Sequence, residues 1–243
     1  QVSGFRTFDF PPTSNFALFP AAKIEHLDMD MHTPMILTDA NLAHLKNLLT
    51  GCVIGRITLA FDHTCLENMH KTPTLVAAVQ AKHVDFLMCR IQEPSLKFIL
   101  KRFGHELVQA GVREITFKGE YKTKLAEQPL RLLELIVRLF DAGIECITVN
   151  HGDPGVSLMH SSLTNATLQK LVEKLGKIGK PLRLELNTPP NNTEEKYGVG
   201  DIVVGETTVH VRETSIQADP LVRNSFPSHR FNIECTPNER VEQ

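Results

Sequence analysis

Apolar residues along this chain recur as a triplet, Φ-x-x-Φ-x-Φ (Φ apolar), and the triplet itself recurs. It occupies Ile24, Leu27 and Met29, then Ile54, Ile57 and Leu59, then Val84, Leu87 and Cys89. It continues at Val112, Ile115 and Phe117, at Ile144, Ile147 and Val149 and, with proline leading, at Pro181, Leu184 and Leu186. The starts lie 30, 30, 28, 32 and 37 residues apart. A self-similar period in this range marks a repeat architecture, in which no unit buries its apolar face alone and neighbours must stack. Each short triplet predicts a strand.

The stretches between triplets change to helical spacing. Leu42, Leu45, Leu48 and Leu49 follow the first triplet, and Leu75, Val76 and Val79 the second. After the third, Leu96, Ile99, Leu100, Phe103, Leu107 and Val108 form a stripe at i, i+3, i+4 intervals. Leu130, Leu133, Ile136, Val137 and Phe140 repeat it, as do Leu168, Leu171, Val172 and Leu175. Pro94 and Pro129 suit first helical turns, whereas Gly111, Gly143 and Gly179 stand where a left-handed residue ends a helix just before the next strand.

An order of alternating strands and helices permits a closed (β/α)8 barrel or an open β-α solenoid. The residues between the apolar positions discriminate, because barrel strands are covered on both faces and solenoid strands on one. Here they are mostly polar: His26, Asp28 and Asp30; Arg56 and Thr58; Arg90; Glu114, Thr116 and Lys118; Thr148 and Asn150; Arg183, Glu185 and Asn187. The expected fold is therefore α/β, an open β-α solenoid with a parallel sheet on its concave face.

A Φ-x-x-Φ-x-Φ strand followed by a helix, at about 28 to 30 residues per unit, resembles the long leucine-rich repeats of the ribonuclease-inhibitor type. "IEHLDMDMHTPMILTDANLAHLKNLLTGC" carries the resemblance best, and it extends over roughly residues 23 to 190. The family's asparagine after the strand is not systematic here, and Ile, Val, Phe or Cys often replaces leucine. Irregular arrays of this kind are similar to substrate-binding regions found behind F-boxes, including the F-box-associated domains of nematodes, and the closing "HRFNIECTPN" shares something with the latter. What the resemblance implies is substrate recognition within a ubiquitin-ligase adaptor. A Skp1-like partner follows only if an F-box lies upstream of Gln1.

The ends differ from the middle. Residues 1–22 hold Phe5, Phe8, Phe10, Phe16 and Phe19 among prolines, as expected of a segment capping the open end of a stack. Residues 23–190 carry the six repeats, and residues 191–243 a β-rich cap and tail. In that last part "DIVVGETTVHV" and "RFNIEC" read as strands.

Composition narrows the function. With 26 basic and 28 acidic side chains and no run of Lys or Arg, the chain lacks the basic stripe of a nucleic-acid binder. No apolar run approaches bilayer length. Five cysteines, scattered and without a CxxC pair, favour a reducing intracellular setting, cytoplasmic or nuclear, while the sequons at Asn165 and Asn191 pull the other way. No G-x-G-x-x-G, P-loop, G-x-S-x-G or H-E-x-x-H string occurs, and no cofactor is expected.

Three local constellations have a chemical and a plain reading. Asp28, Asp30 and His32 share one strand face and suit a cation, yet lack the fourth group zinc requires, so a solvated acidic patch without metal is expected. Asn150, His151 and Asp153 follow a strand, where β-α enzymes keep catalytic groups, but Asp-Pro-Gly is also a turn sequence. Cys65 and Cys146 lack a thiol-nucleophile signature.

Aligning the triplets predicts three columns across the sheet. The first is His26, Arg56, Phe86, Glu114, Cys146 and Arg183; the second Asp28, Thr58, Met88, Thr116, Thr148 and Glu185; the third Asp30, Ala60, Arg90, Lys118, Asn150 and Asn187. Phe86 and Met88 beside Arg56 and Arg90 would combine apolar and guanidinium groups as binding hot spots do. The expected function is a non-enzymatic solenoid that binds another protein through Asp28, Asp30, Arg56, Phe86, Met88, Arg90, Glu114, Lys118 and Asn150. The alternative is a barrel enzyme using Asp30, His63, Glu120 and His151 at strand ends.

Overall fold

The structure, a computed structural model, describes residues 23–31, 53–61, 66–88, 102–119, 129–150, 164–188, 199–216 and 228–238, together with the single helical positions 40, 43 and 47. Six strands follow the six predicted units: β1 (Lys23–Met31), β2 (Val53–Phe61), β3 (His83–Met88), β4 (Glu114–Gly119), β5 (Cys146–Asn150) and β6 (Leu182–Thr188). Helices α1 (Leu66–Val79), α2 (Gly104–Gln109), α3 (Pro129–Ala142) and α4 (Asn165–Gly176) connect β2 to β6 in turn. Three more strands, β7 (Gly200–Val204), β8 (Thr207–Ile216) and β9 (Ser228–Pro237), complete one nine-stranded sheet in the order β1-β2-β3-β4-β5-β6-β9-β8-β7.

Strands β1 to β6 pair in parallel, as crossover helices require, and β9, β8 and β7 continue the sheet antiparallel. Among the described residues the sheet is open, with β1 and β7 outermost. The barrel alternative is thereby overturned: past β6 the sheet continues through the antiparallel strands β9, β8 and β7, and β1 is not brought back to close a ring. The segments following β1 to β6, with the alternative's His63, Glu120 and His151, lie outside the described residues, as do the cap 1–22 and the tail beyond Asn238.

Burial explains why these residues form these elements. The second and third apolar residues of successive units (Ile57 and Leu59, Ile115 and Phe117, Ile147 and Val149, Leu184 and Leu186) are all buried on one face. They join Leu75, Val76 and Val79 of α1, Leu107 of α2, Ile136 and Phe140 of α3, and Leu168, Leu171 and Leu175 of α4 in a single core. β8 and β9 extend that core with Val209, Val211, Phe231 and Ile233. Among the described residues, no helix is long and apolar enough to cross a membrane.

The turn from helix to strand is the same in successive units. Gly111 and Gly143 have φ of +96° and +113°, and the following residue reaches back to the last turn: Val112 N–H donates to the Leu107 carbonyl and Ile144 N–H to the Leu139 carbonyl. The next residue then bonds the preceding unit. Arg113 donates to the carbonyl of Lys82 and Glu145 to that of Arg113, each at 2.9 Å. Equivalent positions in consecutive units are thus tied edge to edge before the strands begin.

The third triplet needs correction. The register sets Val84 beside Ile57 and Ile115, and Phe86 beside Leu59 and Phe117, so the unit's apolar triplet is Ala81, Val84 and Phe86, all buried. Val84, Leu87 and Cys89 match the same spacing, and the small Ala81 hides the true start. The frame shifts by three residues, and every inference about which residues of β3 face the polar side shifts with it.

Candidate functional site

The sheet face opposite the helices carries the polar residues, and the observed register orders them into columns. The first runs His26, Arg56, His83, Glu114, Cys146 and Arg183, and continues through Glu234 and His210 to Asp201. The second runs Asp28, Thr58, Asp85, Thr116, Thr148 and Glu185 to Asn232 and Arg212. The third includes Asp30, Ala60, Leu87, Lys118 and Asn150.

The frame correction replaces two predicted contacts. Phe86 is 1% exposed and packs under the helices against Phe103 and Phe117, with ring centroids 5.7 and 5.9 Å away. It is therefore a core residue and not a surface anchor. Met88 pairs with Phe61 and Gly119, not with Thr58 and Thr116 as expected. Arg90 lies outside the described residues, as do the side chains of Asp28, Asp30, Met88 and Lys118, whose strand positions alone are described.

His83 and Asp85 take the vacated places and hold together a polar cluster on this face. The Asp85 side chain is 0% exposed and accepts two bonds from Arg56, Nε to Oδ2 at 2.7 Å and Nη2 to Oδ1 at 2.6 Å. Such a paired fork fixes the guanidinium plane as well as its charge. The Thr58 hydroxyl donates to the same carboxylate at 3.4 Å, and His26 Nε2 in turn bonds Thr58 Oγ1. His83 closes the far side. Its Nε2 lies 2.8 Å from Thr116 Oγ1 and 3.1 Å from Asp85 Oδ1, and its Nδ1 lies 3.1 Å from Glu114 Oε2. One buried carboxylate thereby organises side chains from four adjacent strands. The signal was present in the sequence as the alternation His83-Val84-Asp85-Phe86, legible once Ala81 is taken as the start.

Further along the face, Glu114 is half-exposed and Arg183 exposed. A hydrogen bond with the Cys146 side chain holds Arg183 still more firmly in its charged form. At the strand ends Asn187 donates to Asn150 Oδ1 at 2.8 Å, while Arg230 Nε reaches Asn187 Oδ1 at 3.1 Å and Glu185 Oε1 at 3.2 Å. Asn150, Asn187 and Glu185 are thus joined by a cation from β9 that spacing within the repeats could not reveal. Near the sheet's far edge, His210 and Arg212 bond Asp201 and lower its pKa.

A groove of about 630 Å³ opens at the opposite end of the strands, between the turns entering β5 and β6 and the end of β9. There the sixth unit begins with an exposed Pro181 where earlier units bury Val112 and Ile144. Phe140, Ile144 and Leu182 line it, with Glu145, Lys180 and Arg183 among its charged residues. Cys235 also lines it, and burial pushes its thiol up to about 11, which keeps it protonated at neutral pH. Among the described residues no group of three or more His, Cys, Asp or Glu side chains comes close enough to hold a metal ion.

The face therefore offers alternating donors and acceptors held in fixed geometry, with the more exposed charges at Glu114, Arg183, Glu234 and Arg212. Comparison with known proteins adds no identity to this geometry: no family model, no curated protein and no solved structure matches the chain.

Proposed function

We propose that the chain is an open β-α solenoid of leucine-rich-repeat type that binds another protein on the helix-free face of its sheet, in an intracellular setting and without catalysis. The observation that carries this reading is the pre-ordered polar array on that face. Arg56, His83 and Glu114 are fixed around the buried Asp85, so little side-chain entropy remains to be lost when a partner docks. The contact surface is centred on Arg56, His83, Glu114, Arg183 and Asn150. The wider resemblance to F-box-associated arrays makes substrate recognition for a ubiquitin ligase the working role.

The test exchanges exposed charges and leaves the buried pair intact. Arg56→Glu is unsuitable, because it would set a second carboxylate against Asp85. Glu114→Arg with Arg183→Glu should abolish partner capture by the purified chain while leaving its melting curve unchanged. A control pair on the helices, Glu134→Arg with Lys174→Glu, should capture as the parent does. Equal capture by all three chains would refute the assigned face. Solution scattering tests the solenoid itself: a near-spherical profile would sink it.

A further inference from the structure

The two outer strands of the sheet are built differently. β1 carries Lys23, Glu25, Asp28 and Asp30, and charge on an edge discourages pairing with another strand. β7 reads GDIVV, without Lys or Pro, and its one charge, Asp201, is already bonded by His210 at 3.0 Å and Arg212 at 2.9 Å on the neighbouring strand. Val203 is 67% exposed, and Val199, just before the strand, is 52% exposed. Among the described residues, β7 pairs only with β8.

The hairpin fixes which backbone groups face outward. Val204 and Thr207 close a two-residue turn through Gly205, at φ +60°, so they form a hydrogen-bonded pair. Such pairs alternate along an antiparallel ladder, and Ile202 with Val209 is the next. The N–H and C=O groups of Asp201 and Val203 therefore point away from β8.

We propose that β7 is a self-association edge, on which two copies of this chain pair antiparallel about a two-fold axis at Ile202. In that register Asp201 lies opposite Val203 of the second copy, and both residues turn their outward backbone groups to each other. Four inter-chain hydrogen bonds result. Ile202, half-buried against the core, meets its own counterpart on the helix side. Other registers that keep the faces matched do worse. Centring on Asp201 opposes two carboxylates directly, which is unfavourable, and centring on Val203 runs into the turn at Gly205 after one bonded pair. An isologous contact needs this kind of self-complementarity. The five-residue edge is short, so the dimer belongs to the weak class, below the roughly 1,600 Å² of a standard interface.

Sedimentation equilibrium of the full chain across the micromolar range tests the proposal. The parent chain is expected to show a monomer–dimer equilibrium. Val203→Glu sets a carboxylate opposite Asp201 in both symmetric pairs and should weaken association by about tenfold or more. Val203→Lys sets an ammonium there and should retain or tighten it. Both variants should melt as the parent does, since Val203 is exposed. A parent chain monomeric throughout would overturn the proposal, as would equal weakening by Glu and Lys, the result expected of unspecific apolar association. The Ile202→Cys variant adds a register check: it should form a covalent dimer on mild oxidation, and failure of both the cross-link and the charge discrimination would exclude this axis.

Discussion

Separating Arg56 from Asp85 should destabilise the chain out of proportion to the size of the change. The carboxylate is 0% exposed and accepts two short bonds, at 2.6 and 2.7 Å, from Arg56. Arg56→Met leaves that charge buried beside His83 at 3.1 Å and Thr58 at 3.4 Å without the guanidinium fork. Breaking a buried pair on one side costs about 3–5 kcal/mol. The lower end, about 3 kcal/mol, applies here because Arg56 is itself 36% exposed and His83 still faces the carboxylate. For a chain of this length each kcal/mol is worth roughly 2–4 °C, so the melting temperature should fall by about 6–12 °C. Asp85→Leu instead leaves a cation that can turn to water, at about 1 kcal/mol. The double variant replaces a charged pair by apolar groups and should cost no more than that, giving a coupling of about 3–4 kcal/mol in a double-mutant cycle read by urea denaturation. Additive single effects within about 0.5 kcal/mol would show that Asp85 is solvated or neutral, and would remove the organising role assigned to it.

Phe86→Ala should cost about 3–5 kcal/mol in the same denaturation assay while leaving partner capture by folded protein intact; loss of capture without loss of stability would return Phe86 to the surface. At Gly176 α4 packs tightly on the β7–β8 hairpin, since an added Cβ would stand 2.5 Å from the Val204 Cβ. Gly176→Ala should therefore lower stability by about 1–3 kcal/mol, whereas a neutral result would mean the hairpin yields freely. Cys235 supplies a pH dependence. Its thiol is raised to about 11 by burial, so the folded state holds the proton that the unfolded chain releases near the ordinary thiol value of 9.0. That contribution is complete below about pH 9 and is lost as the pH climbs towards 11. Thermal melts from pH 8 upward should fall more steeply for the parent than for Cys235→Val, and parallel curves would contradict the burial.

The strands of units two to six and the helices of units two to five were legible because burial enforces period: Ile115 and Phe117, or Leu168, Leu171 and Leu175, stand where one covered face requires them. Gly111, Gly143 and Gly179 were legible because a left-handed turn selects glycine, and the structure gives them φ of +96°, +113° and +67°. The polar residues between strand positions likewise foretold the face opposite the helices, where Arg56, His83 and Glu114 meet. What the sequence left open was frame. Ala81-Val84-Phe86 and Val84-Leu87-Cys89 satisfy one spacing equally, and only pairing with β2 and β4 chooses, because a slipped strand would turn Asp85 toward the helices and Phe86 toward water. Spacing within one unit also says nothing of partners from another, so Arg230 on β9, bonded to Asn187 and Glu185, had no local signature. Local periodicity determines which residues a strand must bury; the register between strands decides which side chains meet, and the candidate binding face depends on the second.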